Sequence, residues 1–407
     1  MLHIIEGGVT AAQGFSAAGG AAGIKKNGKD MALLFSEKVC NVAGTFTTNV
    51  VKAAPVKWDS RIVHENGLAQ AVVCNSGIAN ACTGEEGLGY CSETAKTAGK
   101  VLGIDPELVL TASTGVIGRQ LPMEKINNGI VMLKDLLSDS LDAGTLASQA
   151  IMTTDTRNKQ TAVQVEIGGK TVTVGGMSKG AGMIHPNMCT MLAFITTDAA
   201  ISQPMLQKAL SADVNKTYNM ISVDGDTSTN DTCLLLANGL AGNAEITEEN
   251  EDFEKFKEAL NYVNSYLAKN MAADGEGATA LFECKIVGAS SHEQAVTLAK
   301  SVITSNLVKT AIAGHDANWG RILCAMGYSG AQFDPEKVDL WFESAAGKLQ
   351  IIENGVDTGY SEEVATKILS ENAITAIAAI KEGNETATAW GCDLTHEYIN
   401  INADYRS

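Results

Sequence analysis

Proline and aromatic residues are scarce in this sequence: six prolines and 5% Phe, Trp and Tyr stand against forty glycines in 407 residues. No low-complexity or charge-block segment accompanies the glycines, so they read as tight turns and close backbone approaches rather than disorder. Long apolar runs are also missing, and none approaches the roughly 18–20 residues a membrane span needs. Nothing at the amino terminus joins a basic region to an apolar stretch and a cleavage site, so the expected location is the cytoplasm. Positive charge is in deficit: 30 Lys and Arg against 47 Asp and Glu leave a net charge of −17. That balance argues against nucleic acid or an anionic membrane as partner and favours small solutes.

Nine cysteines, at 40, 74, 82, 91, 189, 233, 284, 324 and 392, are odd in number and scattered, with no CxxC or Cys/His ligand cluster. A disulfide framework and a metal site are therefore not expected, and the thiols read as reduced core residues. With 45% hydrophobic residues the chain is long enough for a large core and more than one domain.

Strand-like and helix-like segments interleave without a short repeat, which predicts an α/β to α+β architecture of layered sheets flanked by helices. AVQVEI, Gly168–Gly169 and KTVTVGG read as a hairpin, and KVDLWFESAAGKLQIIENG as a second. Phe253, Phe256, Leu260, Val263 and Leu267 recur at helical spacing behind an acidic first turn, as do Met123, Ile126, Ile130, Leu133 and Leu137 behind Pro122. SEEVATKILSENAITAIAAIKEG is expected to be one helix before the strand TATAWGC. The expected division is a catalytic region over 1–282 and a smaller C-terminal α+β domain over 283–407.

KGAGMIHPNMCTMLAFITTDA, residues 179–199, sets a lysine, small residues and a His–Pro pair directly before an apolar strand. A threonine hydroxyl is a weak nucleophile unless a base takes its proton, and one solution makes the threonine amino-terminal so that its own amine serves. Attack of the Thr190 hydroxyl on the Cys189 carbonyl, followed by ester hydrolysis, would leave Thr190 at the head of a new chain. The small residues Gly180, Ala181 and Gly182 allow close backbone approach, and the buried strand holds the nucleophile rigid.

Ten stretches then coincide in order: GGVTAAQGFSAAG, AGTFTTNVVKAAPV, NSGIANACTG, ASTGVIGRQLP, AIMTTDT, KGAGMIHPNMCTML, SVDGDTSTNDT, DGEGAT, AGHDANWGRI and INADYRS. Together they resemble the ornithine acetyltransferase (glutamate N-acetyltransferase) family of arginine biosynthesis over essentially the whole chain. The resemblance implies transfer of acetyl from N2-acetylornithine to glutamate through an acetyl-threonine enzyme, by ping-pong kinetics and after cleavage between Cys189 and Thr190. Acetyl-CoA is an additional donor in bifunctional members, and no other cofactor is implied. The two pieces, 1–189 and 190–407, are expected to stay together and to pair as two of each.

By the same resemblance Thr190 is the nucleophile, and Thr114 with Gly115 forms the oxyanion hole. Lys179 contacts substrate, either Thr154 or Thr156 of TTDT binds it, and Glu276 meets its amino group. Asn402 and Ser407 belong to a tail that closes the site. Two positions depart from the family pattern: Cys189 replaces the usual alanine, and Ala280 stands where lysine is expected. His185 and His315 read as structural. The rival readings are a threonine-dependent aminopeptidase or amidase, which passes the acyl group to water, and a non-catalytic amino-acid-binding protein.

Overall fold

The computed structural model describes residues 1–185 and 191–403. Strands β1 (His3–Ile5), β2 (Phe15–Gly20), β3 (Met31–Phe46), β4 (Leu68–Ile78), β5 (Val109–Val116), β6 (Lys159–Ile167), β7 (Lys170–Lys179), β8 (Leu192–Thr197) and β9 (Thr232–Ala237) form one sheet. Its order is β1-β6-β7-β8-β9-β3-β4-β5, with β2 on the flank of β3. The β8–β9 and β4–β5 pairs are parallel and the remaining pairs antiparallel.

Alternation along the strands sorts side chains into layers. Leu192 and Phe194 of β8 and Leu234 and Leu236 of β9 share a core with Leu34 and Val42 of β3, Val72 of β4 and Leu110 of β5. That core lies between the two halves of the sheet. The alternate residues Ala193, Ile195, Cys233 and Leu235 face a second core with the helices Gln203–Val214 and Glu251–Ala273. Leu33, Val73 and Val109 face a third with the helices Gly84–Leu102 and Met123–Asp135. The result is the expected helix–sheet–sheet–helix layering. The long strand β3 joins the halves, and its pairing with β4 breaks register between Phe35 and Cys40, where a bulge bends the strand.

A second sheet comes from β10 (Leu281–Ala289), β11 (Asp339–Ser344), β12 (Gly347–Glu353), β13 (Val356–Asp357), β14 (Ala373–Ala379) and β15 (Glu385–Cys392). Their order is β13-β12-β11-β14-β10-β15. Here one expectation fails. The predicted single helix ends at Leu369, and AITAIAA becomes the inner strand β14 between β10 and β11. Its burial alternates with period two, Ile374, Ala376 and Ala378 being buried, and this suits a sheet with one covered face. The alanines that made the segment look helical are small enough for the packing on that face.

Both glycine-turned and β11–β12 hairpins form, with Gly168 and Gly169 at φ +56° and +72° as a two-residue hairpin turn requires. The helix Glu251–Ala273 starts on the Asn250 side chain, which accepts the Phe253 N–H at 3.0 Å, with Glu251, Asp252 and Glu254 in its first turn. Phe253, Phe256, Leu260, Val263 and Leu267 are all buried along its inner face. This helix packs on β6, β7, β10 and β15 and so ties the two sheets together. No helix among the described residues is long and apolar enough to cross a membrane. Leu260→Ala is expected to cost about 2–5 kcal/mol in chemical denaturation, as for other cavity-forming truncations. A cost under about 1 kcal/mol would show that this helix is not part of the shared core.

Candidate active site

Lys159 begins β6 and Lys179 ends β7, and the pairing of Lys159 with Ser178 brings both to the same end of the sheet. The Lys159 ammonium is buried between two carboxylates, 2.7 Å from Asp155 and 2.6 Å from Asp274. Asp155 also accepts the Gly180 N–H at 2.7 Å and the Thr153 N–H at 3.0 Å. Asp274 takes the N–H of Thr156 at 3.1 Å and the Thr156 hydroxyl. One buried cation therefore fixes three separate segments: the 153–156 loop, the turn after β7, and the end of the helix Glu251–Ala273. Burial alone would raise the pKa of Asp155. The Lys159 and Lys179 charges and the Gly180 N–H outweigh burial and hold it at about 2.

Around this anchor opens a cleft of about 120 Å³. It brings together Thr114, Gly115, Thr154, Lys179, Glu276 and Asn402, six of the residues expected from sequence. Of the two threonines left open in TTDT, Thr154 lines the cleft and Thr156 is turned onto Asp274. Cys189, Thr190 and Ser407 lie outside the described residues. Lys179 Nζ stands 3.5 Å from the Thr114 hydroxyl oxygen. Gly115 has φ +126°, and a Cβ there would lie 2.3 Å from the Gly77 carbonyl carbon, so only glycine suits that position.

The opposite wall is as tightly specified. Glu276 donates its backbone N–H to the Ala181 carbonyl at 2.8 Å, and Asn402 Nδ2 donates to its carboxylate at 2.7 Å. A Cβ on Gly182 would come within 2.3 Å of that carboxylate. The glycine thus makes room for the acid. Asn402 reaches it from the terminal helix His396–Asn402, which is held by the Thr395 hydroxyl on the Gly277 carbonyl at 2.7 Å and by Tyr398 on Asp224 at 3.3 Å. Ala280 is buried beside these contacts, and its N–H, with that of Thr279, is held by Asp393.

Several cleft residues carried no assigned role from sequence: Thr153, Met183, Ser228, Thr229 and Asn230. Asn230 donates from Nδ2 to the carbonyls of Ala79 and of Ser113, the latter at 2.8 Å, and so fastens β5 beside Thr114. Asn230 and Ser113 lie 117 residues apart, a pairing no local pattern reports. His185 is outside the cleft wall: its Nδ1 faces the Ser222 hydroxyl at 3.2 Å, and burial, then the Lys300 charge, lower its pKa. His315 sits at φ +54° in the turn after the helix Asn306–Ala313, its N–H bonded to Ile312. Among the eight described cysteines, six are buried as expected, whereas Cys82 and Cys324 lie at the surface.

Removing the anchor should be costly. Lys159→Met leaves two buried carboxylates without their cation and is expected to lose about 3–5 kcal/mol in denaturant titrations at neutral pH. The depressed pKa of Asp155 contributes stability above its unfolded value of about 3.9, and this is lost as pH falls toward about 2. The gap between wild type and variant should therefore narrow through that acid range. A constant gap would assign the loss to packing instead of charge.

The arrangement meets its relatives at this point. The sequence matches the ArgJ family over residues 16–407. It is 52% identical over 397 residues to the arginine biosynthesis bifunctional protein ArgJ of Thermotoga neapolitana, covering 97% of this chain and 99% of that one. The corresponding protein of Caldanaerobacter subterraneus subsp. tengcongensis is 50% identical over 406 residues, with both chains covered completely. A crystal structure of arginine biosynthesis bifunctional protein ArgJ from Bacillus halodurans aligns at TM-score 0.50 and 46% identity, over 52% of this chain and 97% of that one. An amino-acid-sized cleft with the motifs placed around it, and a match across nearly the whole length, make this chain a member of the ArgJ family.

Proposed function

We propose that this protein transfers the acetyl group of N2-acetylornithine to glutamate, giving ornithine and N-acetylglutamate, with Thr190 as the group that carries acetyl between them. The observation that carries this reading is a cleft with one cation and one carboxylate, Lys179 and Glu276, beside the Thr114–Gly115 strand end. A charge-assisted bond from Lys179 suits the α-carboxylate that both substrates possess, and Glu276 suits an amino group. In the first half-reaction the Thr190 hydroxyl adds to the acetamido carbon, the C–N bond breaks, and ornithine leaves with the hydroxyl's proton. The second half-reaction runs the same steps backwards with the glutamate amine. Thr114 and the Gly115 N–H supply donors for the tetrahedral oxyanion in each. Acetyl-CoA serves as a further donor in this reading, entering the first half-reaction in place of acetylornithine.

Self-cleavage between Cys189 and Thr190 fits the topology. It leaves β7 on one chain and β8 on the other, still hydrogen-bonded along six register pairs from Val174–Thr197 to Lys179–Leu192. The nine-stranded sheet would therefore hold the two chains together, with the 283–407 unit wholly on the second, and two such pairs forming the cytoplasmic assembly. The relative lengths point the same way: curated relatives span this whole chain, whereas the Bacillus halodurans crystal chain is almost fully covered by about half of it.

Denaturing mass spectrometry should give chains of 189 and 218 residues that co-elute under native conditions, and Thr190→Ala should remain whole. Cleaved enzyme given acetylornithine alone should gain one acetyl group on Thr190 and release one equivalent of ornithine. A fully active, unbroken chain would overturn the terminal-threonine mechanism. Loss of acetylornithine at a rate indifferent to glutamate, with free acetate as product, would point to hydrolysis and the amidase reading.

A further inference from the structure

Thr154 enters the cleft from a loop whose far end is fixed by the Lys159 anchor, through Asp155 and through Thr156 on Asp274. What holds the near end comes from a different part of the chain. The Lys25 ammonium donates to the Met152 carbonyl at 2.9 Å. Lys25 is half-buried, is not among the residues that line the cleft, and lies outside all ten motif stretches.

The turn that presents Lys25, between β2 and β3, is held tightly. The buried Asp30 carboxylate accepts the N–H groups of Ala22 and Ile24 at 2.6 Å each and that of Lys25 at 2.9 Å. The Asp30 carbonyl accepts the Ser76 N–H at 2.8 Å, which fastens the turn to β4 one residue before Gly77. The Lys25 stem lies on Gly77: a Cβ there would come within 2.8 Å of Lys25 Cγ. Gly77 is in turn the residue paired with Gly115, at the strand end that lines the cleft. Two neighbouring contacts brace the same junction. Ser76 Oγ donates to the Ala150 carbonyl at 2.7 Å, and Lys29 Nζ donates to Gln149 Oε1 at 3.0 Å, both at the end of the helix Leu141–Ala150 that leads into the Thr154 loop.

We propose that Lys25 is a positioning residue for acetyl transfer: with its stem on Gly77 and its ammonium on Met152, it sets the spacing between the Gly115 strand end and the substrate-binding hydroxyl of Thr154. The proposal rests on the acetyl-transfer reading above. The developing oxyanion sits at the first of these points and another part of the same substrate at the second, so a shift between them misaligns the reacting atoms in both half-reactions. Removing the ammonium also has a second route to the site, through charge. Burial lowers the Lys25 pKa most, Asp30, Cys74 and Asp155 raise it, and Lys179 lowers it, so its field reaches Lys179. Only the positional route passes through Thr154.

Lys25→Met keeps the stem and removes the ammonium. With rates taken per cleaved enzyme, kcat/KM for acetylornithine and for glutamate should each fall about 10–100-fold, as for small misplacements of bound substrate. The melting temperature reports the fold. In a Thr154→Val background, itself impaired, the same Lys25→Met change should cost less than about threefold, because the hydroxyl it positions is already gone. Lys25→Arg, which keeps a cation able to reach Met152, should lose less than the methionine variant. Lys25→Gln, with a neutral head one bond shorter, takes its place in the cycle if the methionine variant does not fold.

Wild-type rates in Lys25→Met, or equal losses with and without the Thr154 hydroxyl, would overturn the assignment, and equal losses would leave charge as the route. A fully active Thr154→Val would remove the substrate role of Thr154 and the proposal with it. If wild type transfers no acetyl group, the acetyl-transfer reading falls first; if wild type is active and Thr154→Val impaired, additive losses remove only the role of Lys25.

Discussion

The buried Lys159 ammonium between Asp155 and Asp274 is the contact on which the site's geometry depends. Each carboxylate also accepts a backbone or hydroxyl donor from another segment, so the loops are pinned by the same groups that hold the cation. A buried pair of this kind gains little net stability once desolvation is counted. Its value here is positional. Lys179 precedes the Gly180 amide held by Asp155, Thr154 sits between Thr153 and Asp155, and Glu276 follows Asp274 by two residues. Three cleft-lining side chains are thus one or two residues from a shared anchor.

Steric constraint completes what charge begins. Gly115 lets β5 pass against the Gly77 backbone where any side chain would collide, and Gly182 leaves the space that the Glu276 carboxylate fills. The terminal helix then lies across that carboxylate through Asn402, and Tyr398 joins the same helix to Asp224, which also holds the N–H groups of Met183 at 2.6 Å and Ile184 at 2.9 Å. The two walls of the cleft are consequently linked through one helix. A substrate entering there meets preset groups instead of assembling them.

Much of this was legible in the sequence because the signals were local. The hairpin at Gly168–Gly169 and the apolar spine of the helix Glu251–Ala273 follow from periodicity and turn chemistry. β14 was misread because alternating alanine and isoleucine satisfies helical propensity as well as strand alternation, and the sheet on both sides decided the outcome. At the site, motif resemblance named Thr114, Lys179 and Glu276, but it left the inward threonine of TTDT open until the contact of Thr156 with Asp274 separated the two. Asn230 lay within the SVDGDTSTNDT stretch but had no role assigned to it. Its role comes from a contact with Ser113, far away in the chain.

The central claim is that one cleft serves donor and acceptor in turn, with Lys179 holding the carboxylate common to both. The most direct measurement is single-turnover kinetics of Lys179→Met in the two half-reactions separately: acetylation of the enzyme by acetylornithine, and its deacetylation by glutamate. Loss of a charge-assisted bond of about 1.5–3 kcal/mol predicts that both rates at subsaturating substrate fall by similar factors, about 10–100-fold. A loss confined to one half-reaction, with the other at the wild-type rate, would contradict the account.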